Sequence, residues 1–107
     1  MCHMTFSQKV LDMTCKIPKG KVTTYSELAK ALGSPKARRA VGNALNKNLH
    51  PITIPCHRVI KSTGEIGGYS GGQDTKIALL EKEGIPIKDR KVINLEKYLH
   101  KFKKNHL

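Results

Sequence analysis

One stretch in the first half of the chain constrains the fold most, because it holds start and stop signals for two short helices joined by a tight turn. Thr24, with Glu27 three residues later, fits a capping box and predicts a helix that begins at this point. Gly33 suits the left-handed position that ends a helix. Ser34 and the proline after it suit the cap and first turn of a second helix, predicted over residues 35 to 47. Two short helices around a glycine turn indicate a helix-turn-helix.

The second predicted helix has two unlike faces. A helical wheel places small and aliphatic side chains on the face that we expect to pack inward: Ala37, Ala40, Val41, Ala44 and Leu45. The opposite face carries Arg39, Gly42, Asn43 and Asn46. A helix that reads the major groove of DNA usually projects several long side chains, whereas this face keeps one long cation, Arg39, free to insert. The pattern favours a close approach to the minor groove over an ordinary solvated helix face.

Charge and length narrow the class of protein. A chain of 107 residues predicts one domain over residues 1–107. Its 20 Lys and Arg residues against 8 acidic ones imply a polyanionic partner, which is nucleic acid, an acidic membrane or an acidic protein. No apolar run approaches the roughly 20 residues of a membrane span, and the N-terminus lacks a signal-peptide pattern, so we expect an intracellular, cytoplasmic protein, or a nuclear one in a eukaryote. Three cysteines without a C-x-x-C pair predict no zinc or other metal.

A cysteine with polar neighbours follows a short apolar run. Residues 52 to 54 predict a buried strand that Pro55 ends, and Cys56, His57 and Arg58 come next. Adjacent side chains point to opposite faces of a regular strand, so the cysteine and the histidine cooperate only if the chain turns there. A neighbouring base and a cation both favour a reactive thiolate. The alternative is a buried structural cysteine, which is the common state of a free cysteine.

Signals elsewhere predict the remaining elements. A capping box of Thr5 and Gln8 predicts a first helix over about residues 6 to 16. Residues 58 to 62 and 65 to 66 predict a hairpin or wing across Thr63-Gly64. The glycine-rich residues 67 to 72 indicate either a binding loop, shaped around Tyr69 and Ser70, or a flexible linker.

The C-terminal third predicts a helix and a basic tail. The helix covers residues 74 to 83, with Ile77 and Leu80 inward and Gly84 as its cap. Glu83 lies in the last turn, where the helix dipole disfavours an anion, so it is either solvated or paired with His57. Residues 88 to 107 either dock on the core, through a terminal helix with Ile93, Leu95, Leu99 and Phe102 on its apolar side, or form a basic arm.

Taken together, these features resemble the DNA-binding, catalytic domain of the O6-alkylguanine-DNA alkyltransferases (methylated-DNA–protein-cysteine methyltransferases). The resemblance runs from about Phe6 to Ile87. It rests on the following blocks: Pro18 and Gly20, Thr24-Tyr25, the run Pro-Lys-Ala-Arg-Arg-Ala-Val-Gly at 35 to 42, Asn48, Ile-Pro-Cys-His-Arg-Val at 54 to 59, Gly-Tyr-Ser-Gly-Gly at 68 to 72, Leu79-Leu80 and Glu83-Gly84. It implies a mainly α fold with a small β-hairpin, a winged helix-turn-helix-like DNA-binding domain.

The resemblance also implies a reaction and a set of roles. A guanine alkylated at O6, or a thymine alkylated at O4, is flipped from the minor groove of double-stranded DNA, and Cys56 takes its alkyl group once, without a cofactor, in a monomer. His57 acts as base through a water, Glu83 orients His57, Asn48 braces the loop, and Tyr25 donates a hydrogen bond to the base. The substrate-binding residues are Ser70, which donates at O6, Tyr69, Gly71 and Val59, the last through its carbonyl together with that of Cys56. Arg39 fills the place of the flipped base, and the other DNA-binding residues are Lys36, Ala37, Gly42 and Asn43.

Two departures and two rival functions accompany the resemblance. Members of the family commonly carry an additional N-terminal domain, and Asn48-Leu49 stands where they usually have Asn-Pro. One rival is an alkyltransferase-like protein, which binds the lesion without reacting; such proteins replace the cysteine that is present here as Cys56. The other is a helix-turn-helix regulator with a structural cysteine, which leaves His57 and Glu83 without a purpose.

Overall fold

The computed structural model describes residues 5–47, 54–69 and 72–102. The elements in these ranges follow in the order α1 (Phe6–Thr14), β1 (Thr23–Thr24), α2 (Tyr25–Ala31), α3 (Arg38–Asn46), a 3-10 helix (Cys56–Arg58), β2 (Val59–Ile60), α4 (Gln73–Lys82), β3 (Ile87–Lys88), β4 (Lys91–Val92) and α5 (Leu95–Tyr98). The fold is therefore mainly α with small sheets, as predicted. None of the helices in the three described ranges has the length and apolarity needed to cross a bilayer.

The start of α1 confirms the predicted capping box. The Thr5 backbone N–H donates to Gln8 Oε1 at 2.8 Å, and the Gln8 backbone N–H donates to Thr5 Oγ1 at 3.2 Å. These reciprocal bonds satisfy two amides that a helix start leaves without intrahelical partners. The helix ends at Thr14, two residues before the predicted end, because Cys15 and Lys16 form a turn.

The helix-turn-helix is present, but its second helix starts later than predicted. Thr24 caps α2 by accepting from the Glu27 N–H at 3.1 Å, and Gly33 takes the left-handed conformation at φ +77°. The prediction that the second helix begins at residue 35 is wrong: α3 begins at Arg38 without a side-chain cap. Residues 34 to 37 instead form a turn closed by the Ala37 N–H on the Ser34 carbonyl at 2.8 Å, a place that suits a proline as second residue.

The inward face of α3 is narrower than predicted. Val41, Ala44 and Leu45 are buried, but Ala40 is exposed and Ala37 is only half-buried. With these three residues, α3 packs against α1 and α2 in the first of two apolar clusters, which also contains Cys56 and Val59. The second cluster gathers Val22, Ile60, Ile66, Leu80, Ile85 and Val92. β1 and β2 pair in parallel, with Thr23 opposite Val59, and β2 joins the clusters because Val59 belongs to the first and Ile60 to the second.

The predicted hairpin across Thr63-Gly64 is reduced to one backbone bond between its arms, from the Lys61 N–H to the Glu65 carbonyl at 2.9 Å. The predicted ladder is wrong, because the strand before the turn pairs with β1. Glu65 bridges to Lys91 instead. The antiparallel hairpin of the described chain is β3–β4, where Ile87 pairs with Val92.

The C-terminal segment docks on the core as far as residue 102, although not as the terminal helix that its apolar residues predict. Only Leu95–Tyr98 is helical, and Ile93 is 42% exposed. Leu99 instead forms a parallel bridge with Val22, and the His100 N–H donates to the Val22 carbonyl at 2.6 Å. Backbone hydrogen bonds beside β1 satisfy groups that an edge strand leaves open, and residues 99 and 100 form these bonds in place of the predicted helix.

Candidate active site

The chain turns sharply just before Cys56. Pro55 has φ −77° and ψ 62°, the values of an inverse γ-turn, and the Cys56 N–H donates across it to the Ile54 carbonyl at 2.7 Å. The Arg58 N–H then donates to the Pro55 carbonyl at 2.9 Å, which sets up the 3-10 helix. The turn predicted at the proline is confirmed. The strand predicted over residues 52 to 54 lies largely outside the described residues.

His57 and Glu83 form the pair that the sequence offered as the sharper alternative. His57 is 1% exposed, and its Nε2 lies 3.1 Å from Glu83 Oε2. A carboxylate only accepts hydrogen bonds, so Nε2 carries the proton in the neutral ring and Nδ1 carries the lone pair. Nδ1 is buried and has no hydrogen-bond partner among the described residues. The pair therefore fixes the tautomer that leaves Nδ1 available as a base.

Arg58 belongs to this network, which the sequence did not indicate. Its Nε donates to Glu83 Oε1 at 2.9 Å, its Nη2 donates to Glu83 Oε2 at 2.6 Å, and its Nη1 donates to the Ile17 carbonyl at 2.8 Å. The guanidinium thus ties the end of α4 to the turn after α1. A bidentate arginine holds a carboxylate in a fixed plane, so the Glu83 oxygen faces His57 in one orientation. The sequence did contain a reason to expect such a partner for Glu83, because an anion in the last turn of a helix needs a cation.

The ionisation states follow from burial and from these bonds. Burial lowers the pKa of His57, and the hydrogen bond from the ring to Glu83 only partly opposes this. Burial would raise the pKa of Glu83, but the hydrogen bonds from Arg58 and His57 outweigh it and hold that pKa below its usual range. At neutral pH the pair consists of a neutral imidazole and a carboxylate, which is the state a general base requires.

Two tyrosines, Tyr25 and Tyr69, line the same small pocket as the thiol. Cys56 is 6% exposed and lies at the base of a small pocket of about 10 Å³, lined by Tyr25, Leu45, Asn46, Cys56, Gly68 and Tyr69. That volume suits about one water molecule. Burial raises the pKa of both tyrosines, and the charge of Cys56 raises each further, so both phenols keep their protons and are able to donate.

A wider cleft opens beside the small pocket, and Tyr25 lines both. The cleft has a volume of about 520 Å³ and is lined by Tyr25, Ser26, Arg38, Arg39, Gly42, Lys61, Ser62, Thr63 and Glu65. Three cations against one carboxylate make it suitable for an anion such as a phosphodiester. A Cβ placed on Gly42 would meet no atom within 4 Å, so this part of α3 is open to a close approach.

The remaining predicted site residues are not all beside the thiol. Lys36 and Asn43 are exposed and Ala37 is half-buried, on α3 or the turn before it, and none of the three lines the cleft. Val59 is buried, and its carbonyl accepts a hydrogen bond from Lys76 Nζ at 2.6 Å, a residue that the sequence did not single out. Asn48, Ser70 and Gly71 lie outside the described residues.

The fold and the site together define a helix-turn-helix domain with a buried cysteine next to a histidine–glutamate pair. The model of one protein family, "6-O-methylguanine DNA methyltransferase, DNA binding domain", matches residues 5–85. The methylated-DNA–protein-cysteine methyltransferase of Rattus norvegicus is 52% identical over 84 residues, which are 77% of this chain and 40% of that protein. The chain belongs to the O6-methylguanine DNA methyltransferase family, and it spans less than half of the length of this relative.

Solved structures with the same fold include two complexes with DNA. Mycobacterium tuberculosis OGT in complex with DNA has a TM-score of 0.74 and 43% identity, over 78% of this chain and 51% of that one. S. pombe Atl1 in complex with damaged DNA containing O6-carboxymethylguanine has a TM-score of 0.80 and 40% identity, over 94% of this chain and 99% of that one. The second match extends beyond residue 85, so the docked C-terminal segment has a counterpart there.

Proposed function

We propose that the chain repairs DNA by transferring the alkyl group of O6-alkylguanine to Cys56. The observation that carries the proposal is the buried Cys56 next to a histidine whose tautomer is fixed by Glu83, in a small pocket that shares Tyr25 with a cationic cleft. In this reaction the sulfur–carbon bond forms as the bond between the alkyl carbon and O6 breaks. The guanine leaves with the electron pair on O6, and a proton neutralises it.

The proton of the thiol has one suitable acceptor in the described site. Nδ1 of His57 is buried, unprotonated in the neutral ring and without a hydrogen-bond partner there, so it takes the proton either directly or through one water. Glu83 then stabilises the imidazolium that forms, and Arg58 keeps the carboxylate in place. This is the sequence of nucleophile, base and orienting carboxylate that other activated nucleophiles use.

The damaged base reaches the thiol from the cleft. We propose that α3 lies along the minor groove, that its open face around Gly42 meets the DNA backbone and that Arg39 fills the place of the base that flips out. Flipping costs a few kcal/mol and costs least where base pairing is already weakened, which contributes to selection of the lesion. Tyr25 borders both spaces and donates to the departing base. Asn48, Ser70 and Gly71 keep the roles that the family implies, and O4-alkylthymine is a second substrate.

The thioether that forms on Cys56 has no chemical route back to the thiol at this site, so each molecule acts once. We also propose that residues 1–107 act as one unit and as a monomer, since every residue named in the reaction lies within it. The decisive experiment incubates the protein with a DNA duplex that contains O6-methylguanine and weighs the intact protein. One added methyl group that is absent from Cys56→Ala supports the proposal. Tight binding to the duplex without any gain in mass contradicts it.

That second outcome would favour a different function, recognition of the lesion without chemistry. One observation speaks for this alternative: the chain matches S. pombe Atl1, solved with DNA containing O6-carboxymethylguanine, over nearly the whole length of both chains. The discriminating feature is the thiol itself, because binding alone needs neither Cys56 nor the His57–Glu83 pair. Equal affinity of the wild type and Cys56→Ala for the damaged duplex, with no methyl transfer by either, identifies the chain as a lesion-binding protein.

A further inference from the structure

Lys76 is a lysine in the core. It lies on the inward side of α4 and has no solvent-exposed surface. Its Nζ donates to the Val59 carbonyl at 2.6 Å and to the Gly68 carbonyl at 3.2 Å. Both carbonyls follow Cys56 in the chain: Val59 comes directly after the 3-10 helix, and Gly68 lines the small pocket that also contains the thiol. One ammonium group therefore links the strand that begins just after the thiol to a wall of its pocket.

Burying the charge of a lysine in the core lowers the stability of the fold, so its presence here indicates a role beyond packing. Burial lowers the pKa of Lys76 to about 8, and the negative charge of Cys56 acts in the opposite direction. Burying a charged group is unfavourable unless it is hydrogen-bonded, and here two carbonyls accept from the ammonium group. The nitrogen lies 6.0 Å from the centre of the Tyr25 ring, so the tyrosine that borders both spaces also faces this charge.

We propose that Lys76 is the positioning residue of the acceptor thiol: its ammonium group holds the Val59 carbonyl just after the 3-10 helix and the Gly68 carbonyl in the wall of the thiol pocket, and it supplies the positive charge that stabilises the thiolate. The inference rests on the proposed role of Cys56 as the alkyl acceptor. The two hydrogen bonds of the Lys76 ammonium group run to backbone carbonyls. Lys76 acts through the sulfur's electrostatic environment and through the shape of the pocket wall, which Gln73 also holds by donating from Nε2 to the Gly67 carbonyl at 3.0 Å.

The titratable groups around Lys76 define what a pH profile reports. Cys56 and His57 face it from the 3-10 helix, and Tyr25 faces it from α2. The tyrosine pKa is raised and that of His57 is lowered, so neither ionises between about pH 7 and 9. A change in the reactivity of Cys56 within that interval therefore reflects the thiol and the lysine.

The test measures the reaction of Cys56 with iodoacetamide, whose iodide the thiolate displaces, between pH 6 and 10. Peptide mass spectrometry follows Cys56, and the exposed Cys15 serves as an internal reference in the same molecule. Lys76→Met keeps the length of the side chain and removes its charge. We expect the rate at pH 7 to fall on the order of 10- to 100-fold, with most of it restored near pH 10, because the thiolate loses the attraction of a nearby positive charge in a poorly solvated pocket.

Two further variants make the outcome specific. Lys76→Arg retains a charge and the ability to donate to both carbonyls, so it is expected to restore the wild-type profile even if its extra volume lowers stability. Lys82→Met removes an exposed lysine from the same helix and is expected to leave the profile unchanged. If Lys76→Met does not fold, Lys76→Gln replaces it, since an amide still donates to a carbonyl but carries no charge.

A loss of rate in Lys76→Met that is equal at every pH would overturn the electrostatic role, and an unchanged rate would overturn the proposal altogether. Iodoacetamide needs no DNA, so the result does not depend on whether the chain repairs O6-alkylguanine. If methyl transfer from the damaged duplex fails while the iodoacetamide profile depends on Lys76, the proposed function is wrong and the role of the lysine stands.

Discussion

The orientation of His57 depends on the charge of one carboxylate, which Glu83→Gln removes with little change of shape. The carboxylate accepts from His57 Nε2 and from two nitrogens of Arg58. An amide has one acceptor oxygen and a donating NH₂ group. If its oxygen stays with the guanidinium, its NH₂ group faces His57 and needs a lone pair on Nε2. The ring then carries its proton on Nδ1 and loses the lone pair that the proposed reaction uses as its base.

The expected magnitudes follow from the geometry. Glu83 and Arg58 side chains are 11% and 15% exposed, so solvent screens their interaction only weakly. Hydrogen bonds to charged groups contribute about 1.5–3 kcal/mol each, and the amide keeps at least one of the three. We expect Glu83→Gln to lower the free energy of unfolding by about 2–4 kcal/mol. The rate of methyl transfer falls on the order of 10²-fold or more, the usual contribution of a general base.

Three measurements with one control test this reasoning. Denaturant unfolding gives the stability, quenched time courses with a duplex containing O6-methylguanine give the rate, and ¹⁵N NMR of the imidazole gives the tautomer. Glu81→Gln, an exposed glutamate of the same helix, is the matched control and should match the wild type in all three. An Nε2-protonated ring in Glu83→Gln together with a slow reaction would falsify the tautomer argument, because the rate would then have been lost for another reason.

Three further predictions concern the DNA face, the pH dependence and the pocket wall. Arg39→Ala should slow repair of duplex DNA at least tenfold more than reaction with free O6-benzylguanine, since only the duplex has a vacated place to fill; equal losses refute the finger role. The rate should fall on acidification only below the usual histidine range, because the pKa of His57 is lowered and its neutral form is required; a profile that already falls near pH 7 contradicts this. Gly67→Ala should lower the free energy of unfolding by about 1–2 kcal/mol, because φ is +78° and the new Cβ would lie 3.2 Å from the Tyr25 hydroxyl. Gly68→Ala should change the free energy of unfolding little, because its new Cβ would meet no atom within 4 Å. Equal unfolding temperatures of the two variants would refute the strain argument.

The parts of the structure that the sequence predicted are those governed by local chemistry. The capping box at Thr5, the glycine turn at Gly33 and the helix over α4 each depend on hydrogen bonds between residues a few positions apart. The pairing of Glu83 with His57 was one of two predicted alternatives. It was suggested by the negative charge of Glu83 in the last turn of a helix, where the helix dipole disfavours an anion. The local features form because their partners are close in sequence, whereas His57 and Glu83 are 26 positions apart and meet only in the folded chain.

The errors lie where distant residues compete for the same backbone groups. Ile60 pairs with Thr24 rather than across the turn at Thr63-Gly64, because β1 offers a partner that only the folded chain brings near. The terminal helix fails for the same reason, since Leu99 bridges to Val22. Lys76 was missed although it lies one helical turn before the inward-facing Leu80, so the spacing alone would have placed it in the core.

The 3-10 helix at residues 56 to 58 explains how three consecutive side chains reach three different surroundings. A 3-10 helix has three residues per turn, so successive side chains point about 120° apart. In a strand, by contrast, neighbouring side chains point to opposite faces. Cys56 therefore lines the pocket, His57 meets Glu83 from within the core, and Arg58 meets the same carboxylate from the side that also reaches the Ile17 carbonyl. Because the γ-turn at Pro55 precedes this helix, the divergence of the three side chains begins at the proline.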